Sequence, residues 1–248
     1  VSEEAAEADP DAPGRVVLVT GGSRGIGAAC VDWFVARGDR VAFTSRAASP
    51  ARTDGALGLV CDVTAPDQIE AAFGAVEERF GPVEVLISNA GITRDTLIAR
   101  MSEEAWGEVI DTNLSGSYRV ARRAVAKMLR LHRGRIIFIS SVGAFVGLPG
   151  QANYAASKAG LVGMARALAR EVASRSITVN VVAPGLVATD MIEALAGERV
   201  EQMKALVPLG RTATAAEIAE AVGFLASSGA GYITGAVLPV DGGMGMGL

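Results

Sequence analysis

The sequence predicts an α/β protein built on one doubly wound parallel sheet of about seven strands, with helices on both faces. Two observations carry that expectation. Short β-branched runs alternate with helical stretches along almost the whole chain, the order that a parallel sheet with crossover helices requires. Several of these runs are also apolar without interruption, as strands are when helices cover both of their faces.

The opening "VSEEAAEADPDAPG" (1–14) stands outside the alternation. It has acids but no base, two prolines and no apolar periodicity, and it reads as a disordered tail. The 248-residue chain carries a net charge of −4, and about +1 remains once the tail is set aside. The strand candidates follow in order: 15–20 "RVVLVT", 40–45 "RVAFTS", 56–61 "ALGLVC", 83–88 "VEVLIS", 134–140 "GRIIFIS", 177–183 "ITVNVVA" and 235–240 "GAVLPV". The stretch "IGAACVDWFVARG" is helical in pattern up to Gly38, and "PDQIEAAFGAVEERFG" up to Gly81; a glycine is a natural helix stop. No repeat and no linker divides 15–248, so a single domain is expected there.

Half of the residues are apolar and a fifth are charged, the balance of a compact soluble domain. No run approaches the roughly 20 apolar residues of a membrane span, and no secretory signal is legible. Cys30 and Cys61 have neither metal-ligand nor disulfide-framework spacing and read as core thiols in a reducing, cytoplasmic setting. Neither a metal nor a nucleic-acid partner is expected.

The first strand runs into "VTGGSRGIG" (19–27), which opens the first helix. Gly21, Gly25 and Gly27 have the spacing G-x-x-x-G-x-G, which is not the dinucleotide fingerprint G-x-G-x-x-G but shares its physics. Glycines let a backbone turn sharply and approach a pyrophosphate at the helix N-terminus, so a Rossmann-type domain is expected. Gly22, Ser23, Arg24 and Ile26 complete the loop, which is either a phosphate cradle or simply a tight strand–helix turn. A carboxylate about twenty residues on would bind the ribose 2′-hydroxyl of NAD. Instead the second strand ends in Ser45 and Arg46. Arg46 is either an ordinary surface residue or, together with Arg24, a clamp for the 2′-phosphate of NADP(H), a bidentate task that suits guanidinium. Asp62 and Val63 follow the third strand, where an adenine would be hydrogen-bonded and covered. Asn89, Ala90 and Gly91 close the fourth, where a cofactor should lie or where a tight turn would suffice.

"NYAASKAG" (153–160) places Tyr154 and Lys158 one helical turn apart on one face. The ammonium is expected to lower the phenol's pKa and make Tyr154 a general acid for reduction and a base for oxidation. Ser141, at the end of the fifth strand, can join the phenol in holding a carbonyl oxygen as it becomes an alkoxide. Asn113 lies in a helix that gives an amide no propensity reason to be there. The lone His132, in "RLHRGR", reads as a solvated loop residue.

Together T-G-x-x-x-G-I-G, N-A-G, Asn113, Ser-x12-Tyr-x-x-x-Lys and "APGLVATDM" resemble the short-chain dehydrogenase/reductase family from Arg15 to the C-terminus. "NAGITRD", "GQANYAASKAG", "TVNVVAPG" and the glycine-rich ending resemble, more narrowly, the actinobacterial 3-oxoacyl-[acyl-carrier-protein] reductases of type II fatty-acid synthesis, the branch with the mycolic-acid enzyme. Where that family reads N-N-A-G, this chain has Ser88 in the first position. The resemblance implies an NADPH-dependent oxidoreductase that turns a 3-oxoacyl thioester on an acyl carrier protein into the 3-hydroxyacyl form. It assigns catalysis to Asn113, Ser141, Tyr154 and Lys158, with Asn113 supporting a water relay and Lys158 also holding the nicotinamide ribose. It sets Pro184, Gly185, Val187 and Thr189 along the nicotinamide, makes 188–207 a lid, and implies a homotetramer. Two alternatives stand: a reductase of free ketones, sugars or steroids, and a catalytically idle NADP-binding scaffold.

Two surface features bear on partners. Ala155, Ala156, Ala159, Gly160, Gly163 and Ala167 would allow close helix approach, between subunits or within one, and the ending "GGMGMGL" is apolar. From Thr112 to Arg170 there are basic residues but no Asp or Glu. That bias is either a solvated helix face or a docking surface for an acidic carrier protein, built from Arg130, Arg133 and Arg175.

Overall fold

The computed structural model describes residues 14–47, 55–188 and 197–246, with the backbone alone for 197–200. All of the acidic tail 1–14 except Gly14, and Thr189, therefore lie outside the described residues. Seven parallel strands form one sheet in the order β3-β2-β1-β4-β5-β6-β7. They are β1 (Val16–Thr20), β2 (Arg40–Ser45), β3 (Ala56–Val60), β4 (Val85–Ser88), β5 (Gly134–Ile139), β6 (Ile177–Pro184) and β7 (Val237–Val240). Each corresponds to one of the apolar runs in the sequence. The fourth and seventh start later than their runs, the seventh because Gly235 turns at φ 72° before the chain extends.

The uninterrupted apolar pattern has the expected cause. Along β1, Val16 and Leu18 point to one face and Val17 and Val19 to the other, and all four are buried. The first face is covered by α2 (Pro66–Phe80), α4 (Gly116–Leu131) and α6 (Ala152–Val172) through Phe73, Val120, Met128 and Leu161. The second is covered by α1 (Gly25–Val35) and α8 (Ala215–Ala226) through Phe34, Ile218 and Val222. Two further helices, α3 (Glu103–Ile110) and α7 (Gly197–Lys204), and the single turn α5 (Gly143–Val146) flank the carboxyl edge of the strands. The outermost strands, β3 and β7, leave most of their side chains half-buried or exposed, whereas the inner strands do so only at Arg40 and Arg135.

Local chemistry sets the helix boundaries. Gly38 and Gly81 follow α1 and α2 with φ 82° and 97°, a region open to glycine. Ser102 caps α3 by accepting from the Ala105 amide at 3.1 Å, and Thr214 and Glu217 form a reciprocal capping box at the start of α8. At the end of α4 the exposed His132 takes the left-handed conformation itself, with φ 54°. Cys30 and Cys61 are both buried and unbridged. No helix among the described residues is long and apolar enough to cross a membrane.

Two close approaches fix where the carboxyl-edge helices lie. A Cβ on Gly116 would fall 2.6 Å from Val63 Cγ2, and one on Gly160 would fall 2.8 Å from Leu114 Cδ2. Packing within one subunit thus accounts for Gly160. It does not account for Gly163, where a Cβ would meet nothing within 4 Å, nor for the exposed Ala156, Ala159 and Ala167.

Candidate active site

A cleft of about 580 Å³ opens at the carboxyl edge, where the loops after β1 and β4 part. Its floor is the glycine loop. Gly21 and Gly25 have positive φ (66° and 55°), and a Cβ on Gly27 would stand 2.2 Å from the Gly21 carbonyl oxygen. Asn89 holds the loop from β4: its side-chain amide donates to the Thr20 and Gly21 carbonyls, both at 3.0 Å. The backbone N–H groups of Asn89 and Ala90 in turn donate to Thr20 Oγ1. The N–A–G triplet is thus both a wall of the cleft and the clamp that shapes its floor.

Most of the residues expected at a cofactor line this cleft. Gly21, Ser23, Arg24, Gly25 and Ile26 come from the loop, Arg46 from the end of β2, and Asp62 and Val63 from the end of β3. Asn89, Ala90, Gly91, Pro184, Gly185 and Val187 line it from β4 and β6. Gly22 and Gly27 do not. Gly22 lies behind the loop, where a Cβ would sit 2.5 Å from Phe43 Cβ, and Gly27 supports the turn from beneath. Asp62 Oδ1 is engaged by the amide and hydroxyl of Thr64, both at 2.8 Å. Gly91 and Gly185 keep the far end narrow but open: Cβ atoms there would fall 3.4 Å from Lys158 Nζ and 2.6 Å from Asp241 Cα. Loop amides at a helix N-terminus, two guanidiniums and close-set glycines suit an elongated phosphorylated ligand such as a dinucleotide. Among the described residues no group of three His, Cys, Asp or Glu side chains is placed to hold a metal.

Ser141, Tyr154 and Lys158 meet at the other end of the cleft. Ser141 hydrogen-bonds the Tyr154 side chain, and its Oγ accepts from the Gly143 amide at 3.1 Å. Lys158 is buried, with Nζ donating to the Ile139 carbonyl at 2.8 Å and lying 5.7 Å from the Tyr154 ring centroid. The phenol departs from expectation. Burial pushes its pKa above the usual value, the Ser141 bond pulls it down, and the Asp95 carboxylate pushes it up. In the protein alone, then, the ammonium does not bring the phenol into the working range. Lys158 is itself desolvated, which lowers its pKa to about 8, and it is turned to a backbone carbonyl.

Asn113 is fully buried and does not line the cleft. It sits in a π-helical turn, Asp111–Ser115, that links α3 to α4; the extra residue of such a turn re-aims a side chain. Its Oδ1 accepts from the Ile92 amide at 2.8 Å, and its Nδ2 donates to the Ile92 carbonyl and to Ser157 Oγ, both at 3.0 Å. Ser157 Oγ in turn donates to the Tyr154 carbonyl at 2.7 Å. The amide is a brace between the 92–96 loop and the tyrosine's own turn.

Sequence reasoning missed this bracing. Ser157 and Asn153 are both fully buried, and Asn153 Nδ2 donates to the carbonyls of Arg94 and Ala105. The signal was present: two polar residues flank Tyr154 at −1 and +3 in a run, 152–160, whose other members apart from Lys158 are alanine and glycine. Gln151, Arg94, Leu148, Met203 and Met244 also line the cleft without having been singled out. Of the segment expected to be a lid, the described part holds α7, whose Met203 reaches the cleft.

The basic residues divide. Arg123 is paired with Glu70 and Glu77 at 2.7 and 2.8 Å, Arg119 with Asp111 at 2.7 Å, and Arg133 with Glu84 at 2.8 Å. Arg130 is exposed at the end of α4, with no ion pair among the described residues. Arg175, in the turn after α6, places Nη1 2.5 Å from His132 Nε2, so the two chain segments meet.

The desolvation of Lys158 has a measurable cost. Its folded pKa of about 8 lies below an unfolded value of roughly 10.4, so unfolding takes up a proton between those limits. The cost is carried in full below pH 8 and fades as pH rises through the window. Lys158→Met should therefore unfold about 3 kcal/mol later than the wild type in urea at pH 7, without added ligand. The gap should close above pH 10.4. Equal stability at pH 7 would mean that the ammonium is not desolvated.

The profile of a family described as enoyl-(acyl carrier protein) reductase matches residues 21–245. The chain is 52% identical over 241 residues to the 3-oxoacyl-[acyl-carrier-protein] reductase MabA of Mycobacterium tuberculosis (strain ATCC 25618 / H37Rv). That alignment covers 97% of this chain and 96% of the other. It is 53% identical to MabA of Mycobacterium avium (94% and 91% covered) and 48% identical to the 3-oxoacyl-[acyl-carrier-protein] reductase FabG of Escherichia coli (strain K12; 93% and 97%). With a glycine-loop cleft, a Ser–Tyr–Lys end and these matches over nearly its whole length, the chain belongs to the short-chain dehydrogenase/reductase family.

Proposed function

We propose that this protein is an NADPH-dependent 3-oxoacyl-[acyl-carrier-protein] reductase, acting in the cytoplasm in type II fatty-acid elongation. The observation that carries the reading is the convergence of Ser141, Tyr154 and Lys158 at one end of a cleft whose other end holds Arg24 and Arg46. The family profile bears an enoyl name, but the relatives that align over more than nine-tenths of the chain bear the 3-oxoacyl name, and the reading follows them. A Ser–Tyr pair of hydroxyls also suits a carbonyl oxygen better than a carbon–carbon double bond.

NADPH, when bound, supplies the hydride that reduces the keto carbon. The chain's own residues do the rest. The loop amides of 21–26 hold the pyrophosphate, Arg24 and Arg46 hold the 2′-phosphate, and Asp62 and Val63 border the adenine. Pro184, Gly185 and Val187, which line the cleft, would border the nicotinamide, and Lys158 would hold its ribose. Ser141 and Tyr154 hold the substrate carbonyl oxygen. Tyr154 gives that oxygen its proton as the C–O π bond is lost, and the resulting phenolate recovers a proton from water. A phenol above its usual pKa is fully protonated at neutral pH and ready to donate. Asn113 acts from behind, through Ser157 and Ile92, on the geometry of this group.

Tyr154→Phe should bind NADPH as the wild type does, by fluorescence titration, and lose roughly 10²- to 10⁴-fold in turnover of an acetoacetyl thioester. Near-normal turnover would remove the assignment, and faster reduction of simple ketones than of the thioester would favour the free-ketone alternative.

The assembly reading is a homotetramer with two-fold axes. Its support is the exposure of Tyr118 and Leu129 on α4 and of the small residues Ala156, Ala159, Gly163 and Ala167 on α6. Sedimentation at micromolar concentration should find four chains; a monomer rejects the reading.

Arg130, Arg133 and Arg175 remain the docking surface proposed for the carrier protein, with Arg133 the weaker member because Glu84 pairs it. They sit at the amino edge of the sheet, since α4 and α6 run from the cleft to the starts of β5 and β6. The 21-residue α6 alone spans about 30 Å. A two-fold axis crossing α4 and α6 sets this end of one subunit beside the cleft end of its partner. A carrier docked on one copy then serves the other's cleft. Charge reversal at Arg130 and Arg175 to Glu should lower kcat/KM for the carrier-bound substrate about tenfold and for a small thioester much less, with the difference shrinking in salt. Equal slowing of both substrates would reject the site.

A further inference from the structure

The lining of the cleft changes character along the carboxyl edge. At the ends of β1, β2 and β3 it carries Arg24, Arg46 and Asp62. From the end of β6 onward it consists of Pro184, Gly185, Leu186, Val187, Met203 and Met244, so among the described residues no polar side chain stands there. Sheet order sets the two ends apart. Met244 follows β7, which is at the opposite border of the sheet from β3, and β5 with its Ser141 lies between them. A dinucleotide that runs from Arg46 to a nicotinamide beside Pro184, Gly185 and Val187 fills the polar stretch and reaches β6. Met203 and Met244 therefore border the space beyond it, where the remainder of a substrate has to lie.

Both methionines are held on one packed unit. Met203 lies near the end of α7, and its carbonyl accepts from the Leu206 amide at 3.1 Å as the chain turns toward Val207 and Pro208. These two residues meet the C-terminal turn. A Cβ on Gly242 would fall 2.6 Å from Val207 Cγ1, and one on Gly243 would fall 3.1 Å from Pro208 Cγ. The Leu209 amide also donates to the Gly242 carbonyl at 3.2 Å. Inside the turn, the buried Asp241 accepts from the Gly243 amide through Oδ1 at 2.9 Å and from the Gly245 amide through Oδ2 at 2.7 Å. Met244 lies between those two amides. Taking a carboxylate out of water is costly unless it is hydrogen-bonded in return, and here both of its oxygens are committed to holding one residue of the cleft wall.

We propose that Met203 and Met244 are specificity-determining residues: they form the wall against which the acyl chain of the substrate lies and so set the chain lengths accepted, with Asp241 the positioning residue for Met244. The proposal rests on the reading of the substrate as a 3-oxoacyl thioester, and it identifies which side chains sort such substrates. Methionine suits the task, because a flexible, unbranched thioether adapts to apolar surfaces of different length.

The measurement is kcat/KM with NADPH across straight-chain 3-oxoacyl thioesters, from acetoacetyl to long chains. Met203→Trp and Met244→Trp should each lower the ratio of long-chain to acetoacetyl kcat/KM about tenfold by crowding the wall, and Met203→Ala and Met244→Ala should move the preferred length upward. Asp241→Asn keeps one acceptor oxygen and loses the other. It should change the length profile, and in the Met244→Ala background it should change it no further, since it acts through that side chain. Equal slowing at every length in Asp241→Asn would make its role structural and overturn the positioning. Unmoved ratios in all four methionine variants overturn the proposal, as does an effect confined to NADPH affinity in a fluorescence titration. A second readout needs no turnover. Calorimetry of the NADP-loaded protein with 3-hydroxyacyl thioesters should show affinities in the same order of chain length, shifted the same way in the variants. A wild type that reduces no thioester defeats the functional reading, while the calorimetry still decides whether Met203 and Met244 sort acyl chains. Absence of binding at every length overturns the proposal as well.

Discussion

Strand β1 pairs with β2 on one side and with β4 on the other, so the connections leaving β1 and β4 depart to opposite faces of the sheet. Their loops part at the carboxyl edge and leave a crevice whose walls are backbone. The rest of the site depends on this parting. It gives the glycine loop a place to turn, exposes the N-terminus of α1 to the cleft, and lets Asn89 reach back across the gap to two carbonyls of the neighbouring strand. Residues distant in sequence, from Gly21 to Met244, border one cavity because a parallel sheet delivers every strand end to the same edge.

Inside that frame, the chemistry is held by buried polar groups with named partners. Asn113, Asn153, Ser157 and Lys158 all lie out of water, and each has a hydrogen-bond partner. Their burial costs free energy that a purely apolar core would not, and what it secures is position. The π-helical turn at 111–115 belongs to the same arrangement, since it turns one amide toward the Ile92 backbone instead of along a regular helix. Desolvation moves the pKa values of Lys158 and of the Tyr154 phenol in opposite directions, and both shifts favour the neutral forms in the protein alone.

The fold was legible because its signals are local. Apolar runs of five or six residues, and glycines such as Gly38 and Gly81 at helix ends, report strand and helix directly. The glycine-loop end of the cleft was legible for a related reason: glycines set between a strand and a helix mark a sharp turn, and Gly21 and Gly25 make it with positive φ. The bracing of Tyr154 was not. Asn113 stood out as an amide in a helix, but its partner is the backbone of Ile92, and no sequence pattern announces a contact with a main chain. Arg133 looked like a member of an open basic cluster, yet Glu84, far away in sequence, pairs it. The pKa of Tyr154 was misjudged because spacing gives the distance between two groups along a helix and says nothing of how much water surrounds them.

Because the cleft draws on β1, β4, β5 and β6 at once, its assembly is a kinetic matter as well as a geometric one. Parallel pairing of strands separated by whole helices must bring distant segments together before any contact repays the loss of chain entropy. The helix bearing Tyr154 and Lys158 has strong local propensity and can form early, but the Ile139 carbonyl that receives the ammonium is in place only once β5 has joined the sheet. Until then Lys158 is a hydrated surface cation on a nascent helix. Pairing of β5 into the sheet is thus a condition for burying the charge.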